Sequence, residues 1–451
     1  MPRWPAALAV LVLAAATLPG PLPAQEKQAP LQLRTVPIRH FRFSDVDKDA
    51  HFWSALYVAS NGKIFVGLCT HADAATVYEF DPRTQRMRKL ANLTELLGER
   101  GRGIWTNGKI HVQMQELDGW VYFGSLSEDN GPPAIDAASY EGPRWFRVDI
   151  ESGKVEALGR INAFWGLLGQ AMDKKRRIIY GLAENGHLYR YFVDEDRTED
   201  MGRVDDWDIC RTIVVDDEGN VYGTYAPGMV WKYDVAKDHI LDLEHVRLPV
   251  VNQSRSMANP MLDRKPQWRI AEWDPVDKAI YGVVGGSNLL FRYDPRQGEE
   301  GTFTSLAQIC PPMFRGGDPM SVPYATLSMT LSQKERRIYY IPVVSRDFDY
   351  GTVSLDVVDK TKLGALGPGK VPQLSFMTSY DLGTGRVEDI GLLRAPDGRY
   401  AYGTQGAKTD ADGRVWFVGA FEEPDPKLAA NPGGASPYSL GLGCYDPRAA
   451  R

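Results

Sequence analysis

Short apolar runs recur along this chain, rich in aromatic and β-branched residues and stopped by glycine or by an acidic turn. One signature is a turn followed by an apolar aromatic run that usually ends in glycine. It appears as Gly62-Lys63-Ile64-Phe65-Val66-Gly67, Gly119-Trp120-Val121-Tyr122-Phe123-Gly124, Arg177-Ile178-Ile179-Tyr180-Gly181 and Gly219-Asn220-Val221-Tyr222-Gly223. It returns as Lys278-Ala279-Ile280-Tyr281-Gly282, Arg337-Ile338-Tyr339-Tyr340 and Gly413-Arg414-Val415-Trp416-Phe417-Val418-Gly419. A second signature, an aromatic run entering an acidic turn, follows each: Phe80-Asp81-Pro82, Val148-Asp149, Tyr191, Tyr233-Asp234, Tyr293-Asp294-Pro295, Tyr380-Asp381 and Tyr445-Asp446-Pro447. After six of these comes one more short strand, such as Lys154 to Gly159 or Arg386 to Gly391; after the seventh the chain stops at Arg451.

A repeat of roughly 60 residues, reading strand, hairpin, strand, turn, strand, is the pattern of a four-stranded propeller blade. The fold class expected is therefore all-β, a seven-bladed β-propeller. The missing outer strand of blade seven is assigned to the alternating segment Leu31 to His40, which would close the ring and leave no long open edge. With strands lettered A to D from the axis outward, the A–B and C–D turns share one face and are short. The long insertions fall on the other face: Leu126 to Gly142, Val250 to Pro266, Pro311 to Pro323, Val343 to Met377 and Ala420 to Gly443. Long loops gathered at one rim of a rigid ring point to a binding face.

Composition fits this reading, with 44 glycines, 30 prolines and 11% aromatic residues in 451. A net charge of −6 with no concentrated basic tract argues against nucleic acid. Arg3, the apolar run Ala6 to Leu18, the breakers Pro19, Gly20 and Pro21, and a small-residue site at Ala24 read as a secretory signal peptide over 1–24. The remainder, 25–451, is expected to be one exported propeller domain, secreted or periplasmic, monomeric and without membrane insertion. Cys69, Cys210, Cys310 and Cys444 form no CxxC unit; a Cys69–Cys444 bridge across the closure and free buried thiols are both open.

The first residues of each A strand should surround the mouth of the channel. They include His51, Trp53, Lys109, His111, Trp165, Arg211, Trp268, Arg269, Tyr324 and Tyr402, with His71 and His187 beside B–C loops on the same face. Imidazole, guanidinium and aromatic groups together suit an anionic sugar, whose carboxylate or sulfate pairs with arginine and whose ring stacks on Trp or Tyr. They also suit β-elimination of a uronate, which needs a cation for the carboxylate, a base for the C5 proton and an acid for the leaving oxygen.

The stretch Gly108-Lys109-Ile110-His111 to Asp118-Gly119-Trp120-Val121-Tyr122-Phe123-Gly124, followed by Gly142-Pro143-Arg144-Trp145-Phe146-Arg147, resembles secreted ulvan-lyase-type polysaccharide lyases over roughly 105–235. That resemblance implies a seven-bladed propeller cleaving sulfated uronate polymers, with a metal site in some members. It would make His111 an active-site histidine, Arg211 the carboxylate neutraliser and Tyr180 or Tyr189 the acid/base tyrosine. Where the family pattern has Gly-His this chain has Gly142-Pro143, so the second histidine is absent unless His71 or His187 replaces it. The function expected is binding, with lyase-type cleavage, of an extracellular anionic polysaccharide; the alternative is a non-catalytic propeller that binds glycan or protein. No organic cofactor is expected, and a structural metal ion is left open. Asp45 to Asp49 has calcium-loop spacing but lacks the glycine and glutamate such a loop needs, and Thr409 to Trp416 and Asp217 to Tyr222 are near misses to the sialidase Asp-box.

Overall fold

The computed structural model describes residues 31–70, 72–128, 137–204, 210–225, 227–249, 267–285, 287–316, 325–343, 353–354, 374–431 and 437–449. The expected signal peptide and much of the long insertions lie outside them.

Both repeating signatures have a local cause. In the A–B turns a residue one or two places before the B strand adopts a left-handed conformation. Gly62, Gly119, Gly219 and Gly413 supply it at φ +83°, +77°, +93° and +86°, and Arg177, Lys278 and Arg336 accept the strained position in the other blades. In blades four and five the glycine that ends the run makes room for a ring: a Cβ on Gly223 would meet Trp231, and one on Gly282 would meet Phe291, each within 2.5 Å; in blades one and two Gly67 and Gly124 make room for the aliphatic Ile110 and Leu167. The acidic residue of the second signature accepts amides of its own turn. Asp81 takes the N–H of Arg83 (2.9 Å), Asp294 that of Arg296 (3.0 Å) and Asp446 that of Arg448 (3.0 Å).

These hairpins assemble as seven blades of a β-propeller with almost no helix. Blade one is His51–Val58, Ile64–Cys69, Ala75–Asp81 and Arg86–Asn92; blade three is Leu167–Asp173, Ile178–Ala183, His187–Phe192 and Arg197–Arg203. Neighbouring blades bury aromatic rings against one another, as in Tyr180 on Tyr233 (5.7 Å between centroids) and Tyr222 on Tyr293 (6.0 Å). The one α-helix among the described residues, Leu93–Leu96, is capped by the Asn92 side chain. No helix among these residues is long and apolar enough to cross a membrane.

The expected closing strand, Leu31 to His40, is divided between two blades. Thr35–Pro37 runs parallel to Val387–Arg394 as a fifth strand of blade six, and Arg39–Arg42 runs antiparallel to Tyr438–Tyr445 as the outer strand of blade seven. The reason for the division is burial. Val36 and Ile38 enter a cluster with Tyr339, Met377, Phe417 and Tyr445 between these blades, which ties the segment to both. Phe41 then packs on Phe80 of blade one (4.5 Å) and on Trp416 (6.1 Å). All four cysteines are free and buried, so strand pairing and packing hold the closure without a disulfide.

His40 sits in this seam, its ring 4.0 Å from that of Phe421 and its Nε2 buried without a partner. Burial, then the Arg399 guanidinium, pushes its imidazole down from 6.5 to about 4. Between those values the unfolded chain takes up a proton that the folded ring refuses, so stability falls as pH drops through the window. Urea unfolding at about pH 7 and about pH 5 should show a shallower acid loss for His40→Phe than for the wild type. Equal losses would mean that this histidine does not govern the closure.

Candidate functional site

The inner strand of blade two supplies the centre of the site. Ile110, Val112 and Met114 belong to the core between blades one, two and three, so the alternating residues Lys109, His111, Gln113 and Gln115 face away from that core. The sequence places His111 on an inner strand between Ile110 and Val112, but in the structure that strand is interrupted there. Thr106–Lys109 pairs with Leu126–Glu128, Gln115–Leu117 pairs with Trp120–Gly124, and His111 stands in the gap between them. Outside a ladder, its backbone carbonyl accepts the Ser54 hydroxyl of blade one.

The His111 ring is 1% exposed. Its Nδ1 lies 2.9 Å from the carbonyl of Leu168 in blade three. A carbonyl only accepts, so Nδ1 carries the proton and Nε2 presents its lone pair, buried and without a partner. Trp53 packs on the imidazole at 4.7 Å, and the Lys109 ammonium lies 4.6 Å from the Trp53 ring centre. Burial first, then Arg211, Lys109 and Arg269, hold the imidazole well below its ordinary range and keep it neutral. Arg269 is 7% exposed and its Nε donates to the Ala325 carbonyl (3.1 Å); Lys109 is 8% exposed. Blades two, four and five thus bring three cations around one neutral histidine.

Of the residues expected at the mouth, Trp53 packs on His111 and carries Lys109 on its ring, and Arg211 and Arg269 act on His111 through their charge. His51 and Tyr402 form another with Tyr438, whose hydroxyl lies 3.3 Å from His51 Nδ1 and whose ring meets Tyr402 edge-on. Trp165 is 39% exposed and stands edge-on to Phe164, which packs in turn on Trp105 and Tyr140. Tyr438, Phe164 and Trp105 were missed in the sequence, although Trp105 stands immediately ahead of the strand Thr106–Lys109, close to the A-strand starts that selected Trp53.

Other candidates are placed elsewhere. Tyr180 is wedged between blades three and four against Tyr233, its hydroxyl buried without a partner and its acidity suppressed by burial. Tyr189 belongs to the core around blades two and three, its hydroxyl 3.4 Å from the Asn185 amide. Trp268 is fully buried on Phe291, with its indole N–H donated to the Thr212 carbonyl (2.7 Å). His187 pairs with the Asp200 carboxylate (3.0 Å) on the outer strands of blade three. His71 and Tyr324 lie outside the described residues.

The acidic motifs have structural partners. Asp47 of the calcium-like loop pairs with Arg100 (2.6 Å) and accepts the Thr76 hydroxyl (3.0 Å). Asp216 and Asp410, in the Asp-box-like turns, accept amides of their own turns together with the Tyr222 hydroxyl and the Trp416 indole N–H. Among the described residues no group of three or more His, Cys, Asp or Glu comes together.

The sequence matches no protein family and no curated protein. Solved structures resemble it in fold. Virginiamycin B lyase from Staphylococcus aureus superposes with a TM-score of 0.50 at 11% identity, covering 90% of this chain and 98% of that one. The RRP9 WD40 repeats superpose with a TM-score of 0.51 at 9% identity, covering 90% and 96%. At such identities the likeness extends to the propeller alone.

Two substitutions separate the central group from the interblade core. Arg211→Met should raise the pKa of His111, read from its ring-proton shifts in an NMR titration, because a neighbouring cation is lost. Tyr180→Phe removes a buried hydroxyl that has no partner, so it should leave that titration unmoved and leave stability unchanged or raised by up to about 1 kcal/mol. A His111 titration that ignores Arg211, or a clear loss of stability in Tyr180→Phe, would contradict this placement.

Proposed function

We propose that this protein binds an anionic carbohydrate, a uronate-containing polysaccharide, at the loop-rich mouth of its channel. The observation that carries the reading is the convergence of Lys109, Arg211 and Arg269 on the buried, neutral His111 beside the Trp53 ring. Cations from separate blades, fixed by a rigid ring, match a carboxylate or sulfate without a large cost of reorganisation. The exposed Trp165 offers a plane on which a sugar ring of the same chain could stack. The apolar run Ala6 to Leu18 supports export, and with it a substrate met outside the cytoplasm.

One observation favours β-elimination as a second reading. His111 holds a proton on Nδ1 and an unpartnered lone pair on Nε2, so it can accept a proton at Nε2 while neighbouring cations neutralise the uronate carboxylate. Tyr180 and Tyr189 do not join it, so the proton for the leaving oxygen would come from another group or from water.

Affinity electrophoresis through gels containing uronate polymers tests the binding reading. At least one polymer should retard the wild-type protein, and Arg269→Met and Arg211→Met should each weaken that retardation about tenfold or more, with added salt acting in the same direction. Indifference to every polymer, or retardation of both variants equal to that of the wild type, would sink it. Ultraviolet absorbance of the unsaturated product, followed with His111→Gln as control, separates cleavage from binding alone.

A further inference from the structure

The channel has a second mouth, at the face of the short A–B turns, and its chemistry differs from the first. A cavity of about 390 Å³ opens there, and all seven A strands contribute to its wall. That volume is within the range of small-ligand sites. Two of the wall residues, Gln113 and Gln115, belong to the alternating row that carries Lys109 and His111, two and four residues beyond the histidine. Cations at one end of the row therefore give way to carboxamides at the other.

Three features of the lining bear on a ligand. First, the Gln115 Oε1 is buried and has no hydrogen-bond partner, so an acceptor stands ready for an incoming hydroxyl. Second, Thr330 and Thr409 on blades six and seven share a long hydrogen bond between their hydroxyls (3.5 Å), with the Thr409 N–H donated to Thr330 Oγ1 (3.1 Å) and the Thr409 hydroxyl turned to the Leu331 carbonyl (3.4 Å), so a ligand hydroxyl would meet them by replacing their weak mutual bond. Third, the only charged side chains in the lining among the described residues, Glu272 and Lys408, form an ion pair, and Glu272 also accepts the Leu331 N–H (2.9 Å). Their charges cancel, so the wall lacks the excess charge that would draw an ion. Between these polar groups the wall is apolar, at Met172 and Ile213 for example, and Tyr57 and Trp273 add aromatic surface. A cyclic polyol has this same alternation, with hydroxyls at its edge and C–H groups on its faces.

We infer that this second mouth is a binding site for a small uncharged polyhydroxyl ligand, a neutral sugar ring held by Gln113, Gln115, Thr330 and Thr409. It does not depend on the anionic ligand proposed for the opposite mouth.

The test is saturation-transfer NMR on the full protein with a panel of neutral mono- and disaccharides, alongside free uronic acids. At least one neutral sugar should show transfer, and Gln115→Leu and Thr409→Val should each weaken its binding about tenfold. Gln115→Leu takes away an unsatisfied buried acceptor, so its melting temperature should not fall, and Thr409→Val provides an independent check should it do so. Arg269→Met, at the other mouth, should leave neutral-sugar binding unchanged. The inference is overturned by no transfer from any neutral sugar, by transfer that survives both lining substitutions, or by loss of transfer in Arg269→Met.

Discussion

Closure of the ring is the constraint on which this molecule depends. A blade is a twisted sheet with two faces to cover, and in a propeller each face is covered by the next blade, so one open seam exposes two faces at once. Here the segment that closes the ring is shared between blades six and seven and reaches across to blade one. Thr35–Pro37 is hydrogen-bonded to blade six and Arg39–Arg42 to blade seven, with Val36 and Ile38 buried between them. Phe41 carries the packing on to Phe80 of blade one. Residues separated by nearly the whole chain are thus in direct contact, and the inner strands of all the blades are held around one axis.

That crowding at the axis shapes the chemistry. Side chains on the inner strands are withdrawn from bulk water without gaining an apolar surround, because their neighbours are other inner strands bearing polar groups of their own. At one mouth the result is a neutral histidine among cations. Desolvation alone would lower the His111 pKa, and Arg211, Lys109 and Arg269 lower it further. At the other mouth, carboxamides, hydroxyls and the mutually neutralised Glu272–Lys408 pair take their place. One channel therefore presents two chemically distinct ends, both built on the row Lys109, His111, Gln113, Gln115.

Much of the fold was legible because its signals are local. The left-handed residue ahead of the B strand recurs in all seven blades, the aspartate that accepts its own turn amides and the glycine opposite an aromatic ring recur in several, and all are fixed by a few neighbouring residues. The site was legible only in part. Counting to the start of each A strand found Trp53, which packs on His111, and Lys109, Arg211 and Arg269, whose charges act on it. The same counting also selected Trp268, which turns into the core against Phe291, because a strand offers alternate residues to opposite sides and the register was not known. Tyr180 illustrates the converse: a tyrosine of suitable chemistry that packing between two blades removes from the centre.

Sequence by itself determined the number of repeats, the strand class and the order of the turns, since these follow from short-range periodicity and backbone preference. Only the tertiary structure decided how the first strand is shared between two blades, why the inner strand of blade two breaks at His111, and which side chains from distant repeats meet at the axis. The physical reason is that these outcomes turn on burial and electrostatics between residues far apart in the chain. The state of His111 is set by a carbonyl from blade three, an indole from blade one and cations from blades two, four and five, and no local pattern around His111 encodes that meeting.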